Sequence, residues 1–468
     1  MAQETKSQVG LVGLGTMGSA LGEALVRNDF DVRAVEPIAG SESVVPNGVV
    51  HEPNFAAMAD SLMPPRRVLL MVTAGDPVDS VIEQLFSHLE PGDIVIDGGN
   101  SNFIDTERRS AHLMEAGMNL VGTGISGGEE GARNGAAVMA GGTEEGYSGS
   151  RDILQAIAAK NDGDVCCAHV GPGGAGHFVK MVHNGIEYGL MQAIGEAHFL
   201  LHHGLHLTHA ECGEIFRFWN EGPLKSFLLE ITADILCRVD NDFGGPLIDI
   251  VDDAADQTGT GRWMVSEAMA LGVPTPTIAE AVAARSLSGG QEARQAIGNV
   301  APEVSEDMAL SVNDIRDALL ATFLCCYAQG FSVLAAGADK YKWPRKEVEI
   351  ARVWQNGCII RADILQTIRQ AFIERSDLPH LFANDALANL VGEATQGWRT
   401  AVSSAVSVAL PVPAMASALT YTDALKTDRL WTALTQAQRD AFGAHTYRRT
   451  DRNGSFHSDW SKGNAAPD

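Results

Sequence analysis

The chain has 468 residues, of which 45% are hydrophobic and 20% charged, so it is long enough for two or more globular domains. Its formal net charge of -25 repels nucleic acid and anionic membranes, and we expect neither as a partner. The polar N-terminus predicts no secretory signal, and no apolar stretch is interpreted as a membrane span. The seven cysteines are an odd number and include two adjacent pairs, which does not suggest a disulfide framework and favours a reducing compartment, so we expect a cytoplasmic protein.

Strand and helix signals alternate through the first part of the chain. The strand candidates are Val9–Leu14, Asp31–Glu36, Arg67–Val72, Asp93–Asp97 and Met118–Gly122. Such alternation is typical of a parallel, doubly wound sheet. The sequence therefore predicts an α/β, Rossmann-like N-terminal domain over residues 1–175, ending near a glycine cluster at 171–174.

Helical signals replace the alternation after this cluster. Long runs rich in Ala, Leu and Ile, such as His177–Leu201 and Asp314–Ala336, predict a large all-α domain over residues 176–434. From about residue 435 the chain is polar, and Thr450–Asp468 has no core-forming period. We expect residues 435–468 to be a C-terminal arm that packs on another surface, or a disordered end.

A dinucleotide-binding fingerprint follows the first strand. Its GxGxxG residues are Gly13, Gly15, Thr16, Met17 and Gly18. Glycines allow a tight turn and close approach to a pyrophosphate, and a helix N-terminus favours its negative charge. The motif alone is weak, but the preceding strand, the predicted helix Thr16–Val26 and an acid at Glu36 strengthen it. The alternative is an ordinary glycine turn.

Glu36, at the end of the second predicted strand, bears on the choice of cofactor. A carboxylate there can accept hydrogen bonds from the ribose hydroxyls of NAD and would repel the 2′-phosphate of NADP. Pro37 and Ile38 supply no positive charge, and Arg33 lies inside the strand. These residues favour NAD over NADP, unless Glu36 only caps a strand.

The strongest polar pattern lies on the helix predicted from His177. At about 100° per residue, one face carries Lys180, His183, Asn184, Glu187 and Tyr188. Lys180 and Glu187 are separated by about 10 Å along the axis, so their side chains can reach different carbons of one small substrate. A lysine acts as a base once burial has promoted loss of its proton. A solvated helix face with i,i+4 hydrogen bonds is an equally supported alternative.

Two glycine-rich loops support a ligand site. Asp97–Ser101 follows a strand at the edge where open α/β sheets bind ligands, and Ser126–Gly131 follows the next strand. Both loops offer backbone N–H groups and small polar side chains, although two ordinary turns would look the same. A cluster of histidines after the polar helix lacks a carboxylate-backed metal pattern, so we predict no metal site.

Together these segments resemble the 6-phosphogluconate dehydrogenase family, within the β-hydroxyacid dehydrogenases. The resemblance covers nearly the whole chain and rests on DGGNS (97–101), SGGEEGAR (126–133), GAGHFVKMVHNGIEYG (174–189), GCIIR (357–361) and QAQRDAFGAHTY (436–447). The last motif separates this family from shorter hydroxyacid dehydrogenases. The resemblance implies a metal-independent, NAD- or NADP-dependent enzyme of the pentose phosphate pathway, which oxidises and decarboxylates a phosphorylated sugar acid.

The resemblance also implies residue roles. Lys180 is the implied general base at the 3-hydroxyl, and Glu187 the acid that protonates C1 of the enediol. The residues implied to hold the acid end and the hydroxyls are Asn100, Ser126, Gly127, Gly128, His183 and Asn184. Those implied to hold the phosphate are Tyr188, Thr260 and Arg285. The implied cofactor contacts are the fingerprint, Glu36, Thr73, Ala74, Gly75 and Asn100.

Arg439 and His445 are implied to reach the site of a second subunit through the arm, which makes the expected assembly a homodimer. Three departures from the family pattern are visible. Residues 36–38 lack the usual arginine for the NADP phosphate, Thr73 replaces a common lysine, and Thr258 replaces a lysine expected beside the substrate phosphate. Two alternatives therefore remain: a related dehydrogenase of another sugar acid, and a nucleotide-binding dimer without catalysis.

Overall fold

The computed structural model describes residues 6–37, 45–257, 259–298 and 309–461. Ile38 and Thr258, on which two of the expectations about charge depend, lie outside the described residues. The chain divides into two compact units, Met1–Ala418 and Leu419–Asp468, and each is described by itself. The predicted domain boundaries at residues 175 and 434 remain predictions.

The N-terminal part of the first unit is built on one eight-stranded sheet. Its strands are β1 (Gln8–Val12), β2 (Asp31–Val35), β3 (Val49–His51), β4 (Arg67–Leu70), β5 (Ile94–Asp97), β6 (Asn119–Ser126), β7 (Ala137–Ala140) and β8 (Cys167–His169). The strand order is β8-β7-β6-β5-β4-β1-β2-β3. The order reverses between β1 and β4, and ligands bind beyond the carboxyl ends of the strands at such a point.

Helices cover both faces of this sheet. They are α1 (Thr16–Arg27), α2 (Phe55–Ser61), α3 (Asp76–Phe86), α4 (Phe103–Glu115), α5 (Gly128–Asn134) and α6 (Glu144–Ala156). Neighbouring strand residues enter different cores: Leu11 and Leu69 belong to one apolar cluster, Val12 and Leu70 to another. Burial of both faces is the reason why these strands are continuous apolar runs. The predicted Rossmann-like fold is confirmed.

Details of the sheet differ from the sequence prediction. The strand β7 runs antiparallel to β6, so the sheet is not wholly parallel. Strands predicted to extend to Leu14, Glu36 and Val72 end at Val12, Val35 and Leu70. The chain leaves the sheet earlier because these following residues form the turns and loops at its ligand-binding edge. The short strands β3, β7 and β8 were not among the predicted strands.

The remainder of the first unit is helical, as predicted. Its helices are α7 (Ala175–Phe199), α8 (His209–Trp219), α9 (Phe227–Leu236), α10 (Thr260–Ala270), α11 (Pro276–Ser288), α12 (Gln291–Ile297), α13 (Val312–Tyr341), α14 (Glu347–Val353), α15 (Ile364–Glu374), α16 (Asp385–Ser407) and α17 (Pro413–Leu425), whose last residues begin the second unit. Helix α13 packs closely on α7 because Gly330 and Gly337 leave room for Ile186 and Phe178.

The expectation that no stretch is long and apolar enough to span a bilayer is wrong for helix α13. Among the described residues it is the helix long and apolar enough to do so, with a mean hydropathy of 1.7 in its most apolar window. That window is 83% buried inside the protein. Its apolar composition is therefore explained by packing in a protein core.

The second unit contains helix α18 (Thr432–Gly443) and a bridge between Tyr447 and Phe456. The fully buried carboxylate of Asp440 is its hub. Asp440 accepts hydrogen bonds from the backbone N–H of Thr446 (2.9 Å) and from His457 Nδ1 (2.9 Å). It also accepts from the Ser458 N–H (3.0 Å) and Trp460 Nε1 (2.8 Å). These bonds close the C-terminal segment onto α18 within the described part of the predicted arm.

Candidate active site

The glycine-rich turn after β1 has the geometry that a dinucleotide requires. Gly13 has φ of 95°, and a Cβ there would lie 2.5 Å from the Met71 carbonyl oxygen, so only glycine fits without strain. Gly18 likewise packs directly on the backbone of Gly13. A Cβ at Gly15 would meet no atom within 4 Å, so the start of α1 is open to a ligand. A pyrophosphate fits this open helix N-terminus.

Glu36 is held at this turn, where the sequence predicts a ribose contact. Its carboxylate accepts a hydrogen bond of 2.8 Å from the backbone N–H of Leu14. Arg33 instead turns to acidic neighbours, and its guanidinium lies 3.0 Å from Asp31 and 3.4 Å from Glu52. The nearest arginine of β2 is thus paired within the fold.

A cavity of about 540 Å³ lies at the carboxyl ends of β1, β4 and β5. It is lined by residues 15–18 of the turn, 73–75 after β4 and 98–100 after β5, and by Thr260 and Trp263 of α10. Its volume lies within the range of about 300–1,000 Å³ usual for small-molecule sites. Both the sheet and the helical part of the first unit therefore contribute to this cavity. The predicted cofactor residues that line it fit a nicotinamide dinucleotide.

The polar stripe predicted on α7 is buried, not solvated. Lys180 and Asn184 are each 7% exposed, and His183 is fully buried. Lys180 can approach β6 this closely because Gly124 has no side chain to collide with it. The alternative of a solvated helix face is therefore wrong. The opposite face, with Phe178, packs into the helical core as predicted.

Hydrogen bonds link this stripe to the loop after β6. His183 Nε2 lies 3.0 Å from Ser126 Oγ, and its Nδ1 lies 3.1 Å from Asn184 Oδ1. The Glu187 carboxylate is 3.7 Å from the same Nδ1. The loop itself turns at Gly127 and Gly128, with φ of 135° and 63°, to begin α5. The structure thus brings together Ser126, His183 and Asn184, whereas Asn100 lines the cavity of about 540 Å³.

Burial sets the charges of the stripe. It lowers the pKa of Lys180, and the nearby Glu187 carboxylate only partly offsets this effect. Burial raises the pKa of Glu187, against the opposing influence of Lys180 and Arg285. Burial and the neighbouring Lys180 hold the pKa of His183 well below its usual value. These shifts move Lys180 toward a neutral amine and Glu187 toward a protonated acid, the forms suited to a base and an acid.

The three residues predicted to hold a phosphate lie at the other end of the stripe. Arg285 stacks over the Tyr188 ring, with its Cζ 4.7 Å from the ring centroid, and donates to the Asp256 carbonyl at 3.0 Å. Gly261 permits the same ring to lie against the start of α10, where Thr260 is 5% exposed. Tyr188, Thr260 and Arg285 are therefore neighbours.

Not every predicted residue is collected in one cavity. Lys180 and Glu187 are not among the described residues that line the cavity of about 540 Å³, whose lining reaches Ile125, next to Ser126. Arg439 and His445 belong to the second unit, where both are exposed and flank the Asp440 hub in sequence. Arg439 there donates to Gln436 at 3.2 Å.

Three residues near the site were missed by the sequence prediction. Trp263 lines the cavity one turn after Thr260. Trp354 packs edge-on against His183, with ring centroids 5.8 Å apart. Cys358, in the GCIIR motif, is fully buried, and burial raises the pKa of its thiol to about 12 while the nearby Lys180 opposes this rise. The sequence indicated only the neighbourhood of Cys358, through the GCIIR motif. The positions of Trp263 and Trp354 depend on packing between segments that are distant in the sequence.

The histidines after the polar helix form a hydrogen-bonded cluster. His198 Nε2 lies 3.0 Å from His209 Nδ1, and His209 Nε2 lies 2.8 Å from Asp249. His202 bonds the Leu207 carbonyl at 2.7 Å. Within residues 6–37, 45–257, 259–298 and 309–461, no group of three or more His, Cys, Asp or Glu residues is arranged to hold a metal ion.

The fold and this site define a nicotinamide-dependent oxidoreductase with a Rossmann-like domain followed by a helical domain. Residues 8–171 match the model of the NAD binding domain of 6-phosphogluconate dehydrogenase, and residues 176–460 match that of its C-terminal domain. The chain therefore belongs to the 6-phosphogluconate dehydrogenase family. Members of this family use NADP or NAD.

Relatives from one organism represent both cofactors. The chain is 43% identical to the NADP-dependent, decarboxylating 6-phosphogluconate dehydrogenase of Bacillus subtilis, covering 98% of this chain and 100% of that protein. It is 42% identical to the NAD-dependent, decarboxylating enzyme of the same organism, covering 97% and 100%. The solved 6-phosphogluconate dehydrogenase of Plasmodium falciparum, studied with NADP and with its substrate 6-phosphogluconate, has a TM-score of 0.92 at 35% identity, covering 97% and 100%.

Proposed function

We propose that this chain catalyses the oxidative decarboxylation of 6-phosphogluconate to ribulose 5-phosphate and carbon dioxide. The observation that carries the proposal is the pair of buried Lys180 and half-buried Glu187 on one face of α7, with pKa values displaced toward each other. Family membership supports the same reaction. The test is reduction of NAD or NADP by 6-phosphogluconate with release of carbon dioxide, and no turnover with either cofactor would overturn the proposal. Unphosphorylated gluconate serves as the comparison for the phosphate requirement.

In the proposed mechanism, Lys180 as a neutral amine takes the proton of the C3 hydroxyl. The bound oxidised nicotinamide supplies the acceptor for the hydride from C3. The resulting β-keto acid loses carbon dioxide because its C3 carbonyl accepts the electron pair, and protonated Lys180 donates to that oxygen. Glu187 then protonates C1 of the enediol while Lys180, neutral again, takes the proton of the adjacent C2 hydroxyl, which gives ribulose 5-phosphate. Lys180 as the initial base and Glu187 as the final acid each begin in the protonation state that burial favours.

Substrate orientation is assigned to the two ends of the buried stripe. The acid end and hydroxyls are held by Asn100, Ser126, Gly127, Gly128, His183 and Asn184. The phosphate is held by Tyr188, Thr260 and Arg285. The guanidinium of Arg285 supplies local positive charge in a chain whose net charge is -25, which an anionic substrate would otherwise avoid.

For the cofactor, the proposal is NAD in preference to NADP. Glu36 is fixed beside the turn by Leu14, and Arg33 is held by Asp31 and Glu52. A 2′-phosphate would meet the Glu36 carboxylate without a compensating cation from β2. Thr73, on the cavity wall, adds no charge.

Replacing Glu36 by Asn together with Pro37 by Arg is expected to shift this preference. The repulsion disappears and a guanidinium can bind the 2′-phosphate, so the ratio of kcat/KM for NAD to that for NADP falls by roughly 10- to 100-fold, the equivalent of one charge-assisted hydrogen bond. Steady-state kinetics with both cofactors measures the ratio. Asp60→Asn, an exposed acid on α2, is the control and leaves the ratio unchanged. A wild-type preference for NADP would contradict the cofactor proposal.

The remaining part of the proposal is a homodimer in which Arg439 and His445 complete the site of the second subunit. The large side chains of Trp431, at the N-cap of α18, and of Leu434 and Phe442, on the helix, are 70%, 66% and 76% exposed. Such exposed apolar side chains beside a polar motif support a protein interface. A cytoplasmic location stays a prediction.

Disrupting the hub of the second unit tests this assembly. Asp440→Ala removes four hydrogen bonds around His445, so we expect KM for 6-phosphogluconate to rise at least about tenfold, with KM for the cofactor nearly constant. Asp451→Ala, which removes only an exposed ion pair with Arg449, is the matched control. Light scattering after size exclusion gives the mass of both variants. A fully active monomer, or unchanged substrate KM in Asp440→Ala, would contradict the shared site.

A further inference from the structure

Arg109, on α4, is a buried cation that the proposed mechanism does not use. It is 2% exposed, which is rare for arginine unless several partners compensate for its desolvation. Its Nε and Nη2 donate to the two carboxylate oxygens of Asp79, in the first turn of α3, at 2.9 and 2.8 Å. This two-point contact fixes the plane of the guanidinium.

The same guanidinium contacts both loops that form the cavity wall. Nη2 donates to the Gly75 carbonyl at 3.0 Å, at the end of the loop after β4. Nη1 donates to Ser101 Oγ at 3.3 Å and lies 3.7 Å from Asp97, in the loop after β5. A single planar group therefore sets the separation of the two loops.

Asp97 connects Arg109 to the residues that line the cavity. Its Oδ2 accepts from Ser101 Oγ at 2.7 Å, and its Oδ1 accepts from the Gly99 N–H at 3.1 Å. Gly99 and Asn100 line the cavity opposite residues 73–75. Movement of Arg109 would consequently change the width of the cavity between the loops.

The sheet order indicates which half of a dinucleotide these loops hold. Glu36 follows β2, on one side of the turn after β1, whereas β4 and β5 lie on the other side. With the ribose of the adenosine beside Glu36 and the pyrophosphate at the start of α1, the nicotinamide half extends toward the loops after β4 and β5.

We propose that Arg109 is a positioning residue for the nicotinamide half of the cofactor, acting through the spacing of the loops 73–75 and 97–101. The inference rests only on the dinucleotide-binding part of the proposed function. Lysine at this position keeps the charge but cannot make the planar, multiple contacts. Asp79→Asn weakens the same connection from its other side.

Binding measurements on Arg109→Lys, Asp79→Asn and the control Arg108→Lys test the proposal. Arg108 is exposed and contacts the same Asp79 at 2.9 Å, but it contacts neither loop. We expect Kd for NAD, measured by calorimetry, to rise roughly 10- to 100-fold in the first two variants. The Kd of ADP, which lacks the nicotinamide half and is measured in the same way, should change less than about twofold, as should both constants in Arg108→Lys.

Other outcomes overturn the proposal. If NAD and ADP weaken equally, Arg109 supports the whole nucleotide site or the fold. If Tm falls while both constants stay at wild-type values, its role is structural alone. Wild-type binding of NAD without turnover of 6-phosphogluconate would reject the proposed reaction while leaving this test intact.

Discussion

Lys180→Met is expected to lower kcat by roughly 10²- to 10⁴-fold, the usual contribution of a general base, and at the same time to raise Tm at neutral pH. The loss of activity follows because Lys180 is the proposed base for the C3 hydroxyl proton, and methionine has no group that accepts a proton. The gain in stability follows because methionine fills similar space without the cost of burying an ammonium group. Turnover assays and calorimetric melting measure the two effects.

The pH dependence of stability distinguishes this explanation from simple repacking. The folded pKa of Lys180 lies below its usual value of 10.5, so between those two values the unfolded chain binds more protons. Wild-type stability should therefore rise with pH through that window, and Lys180→Met should lose this slope. Lys160→Met, at an exposed lysine, is the control. Retention of turnover in Lys180→Met would show that another group is the base.

Glu187→Gln is expected to lower steady-state kcat by a similar factor, roughly 10²- to 10⁴-fold. Glutamine keeps the shape but cannot donate a proton to C1 of the enediol, which is the last chemical step. Hydride transfer precedes that step, so a single turnover should still produce reduced cofactor while ribulose 5-phosphate appears slowly. Rapid-mixing absorbance for the cofactor, with chemical quench for the sugar, separates the two events.

The same variant should alter the pH profile. In the wild type, kcat falls at low pH as Lys180 becomes protonated, and at high pH as Glu187 loses its proton. The raised pKa of Glu187 keeps this carboxyl protonated to a higher pH than an ordinary glutamate. Glu187→Gln should lose the alkaline decline. Glu130→Gln, a carboxylate of the nearby SGGEEGAR motif outside the stripe, is the comparison. Equal delay of both products would place Glu187 before hydride transfer.

Local patterns were sufficient to predict the nucleotide turn and the composition of the catalytic stripe. Gly18 is required by its contact with the backbone of Gly13 in the same strand-turn-helix segment, although Gly13 also lies against the distant Met71. A periodicity of about 100° places Lys180 and Glu187 on one face without knowledge of the rest of the fold. Both features depend on residues that are close in the sequence, which is why sequence patterns reveal them.

The features that were missed depend on distant segments. Whether the stripe is buried is decided by Gly124 on β6 and by the approach of Trp354 and Cys358, which lie more than 100 residues away. The pairing of Arg33 with Glu52 requires knowledge of which strands are neighbours. The reversed direction of β7 could not be predicted, because strand periodicity is the same in either direction.

Gly330 and Gly337 of α13 affect catalysis because they determine the orientation of α7, although they are distant from it in the sequence. Ile186 and Phe178 of α7 enter the gaps left by Gly330 and Gly337 of α13. The rotation of α7 about its own axis is therefore fixed by two positions on another helix that carry no side chain. A slip of a single position would turn the helix through about 100° and carry Lys180 and Glu187 together away from the loop after β6. We therefore expect Gly330→Ala or Gly337→Ala to lower turnover in a protein that still folds, because the added methyl group changes the orientation of α7.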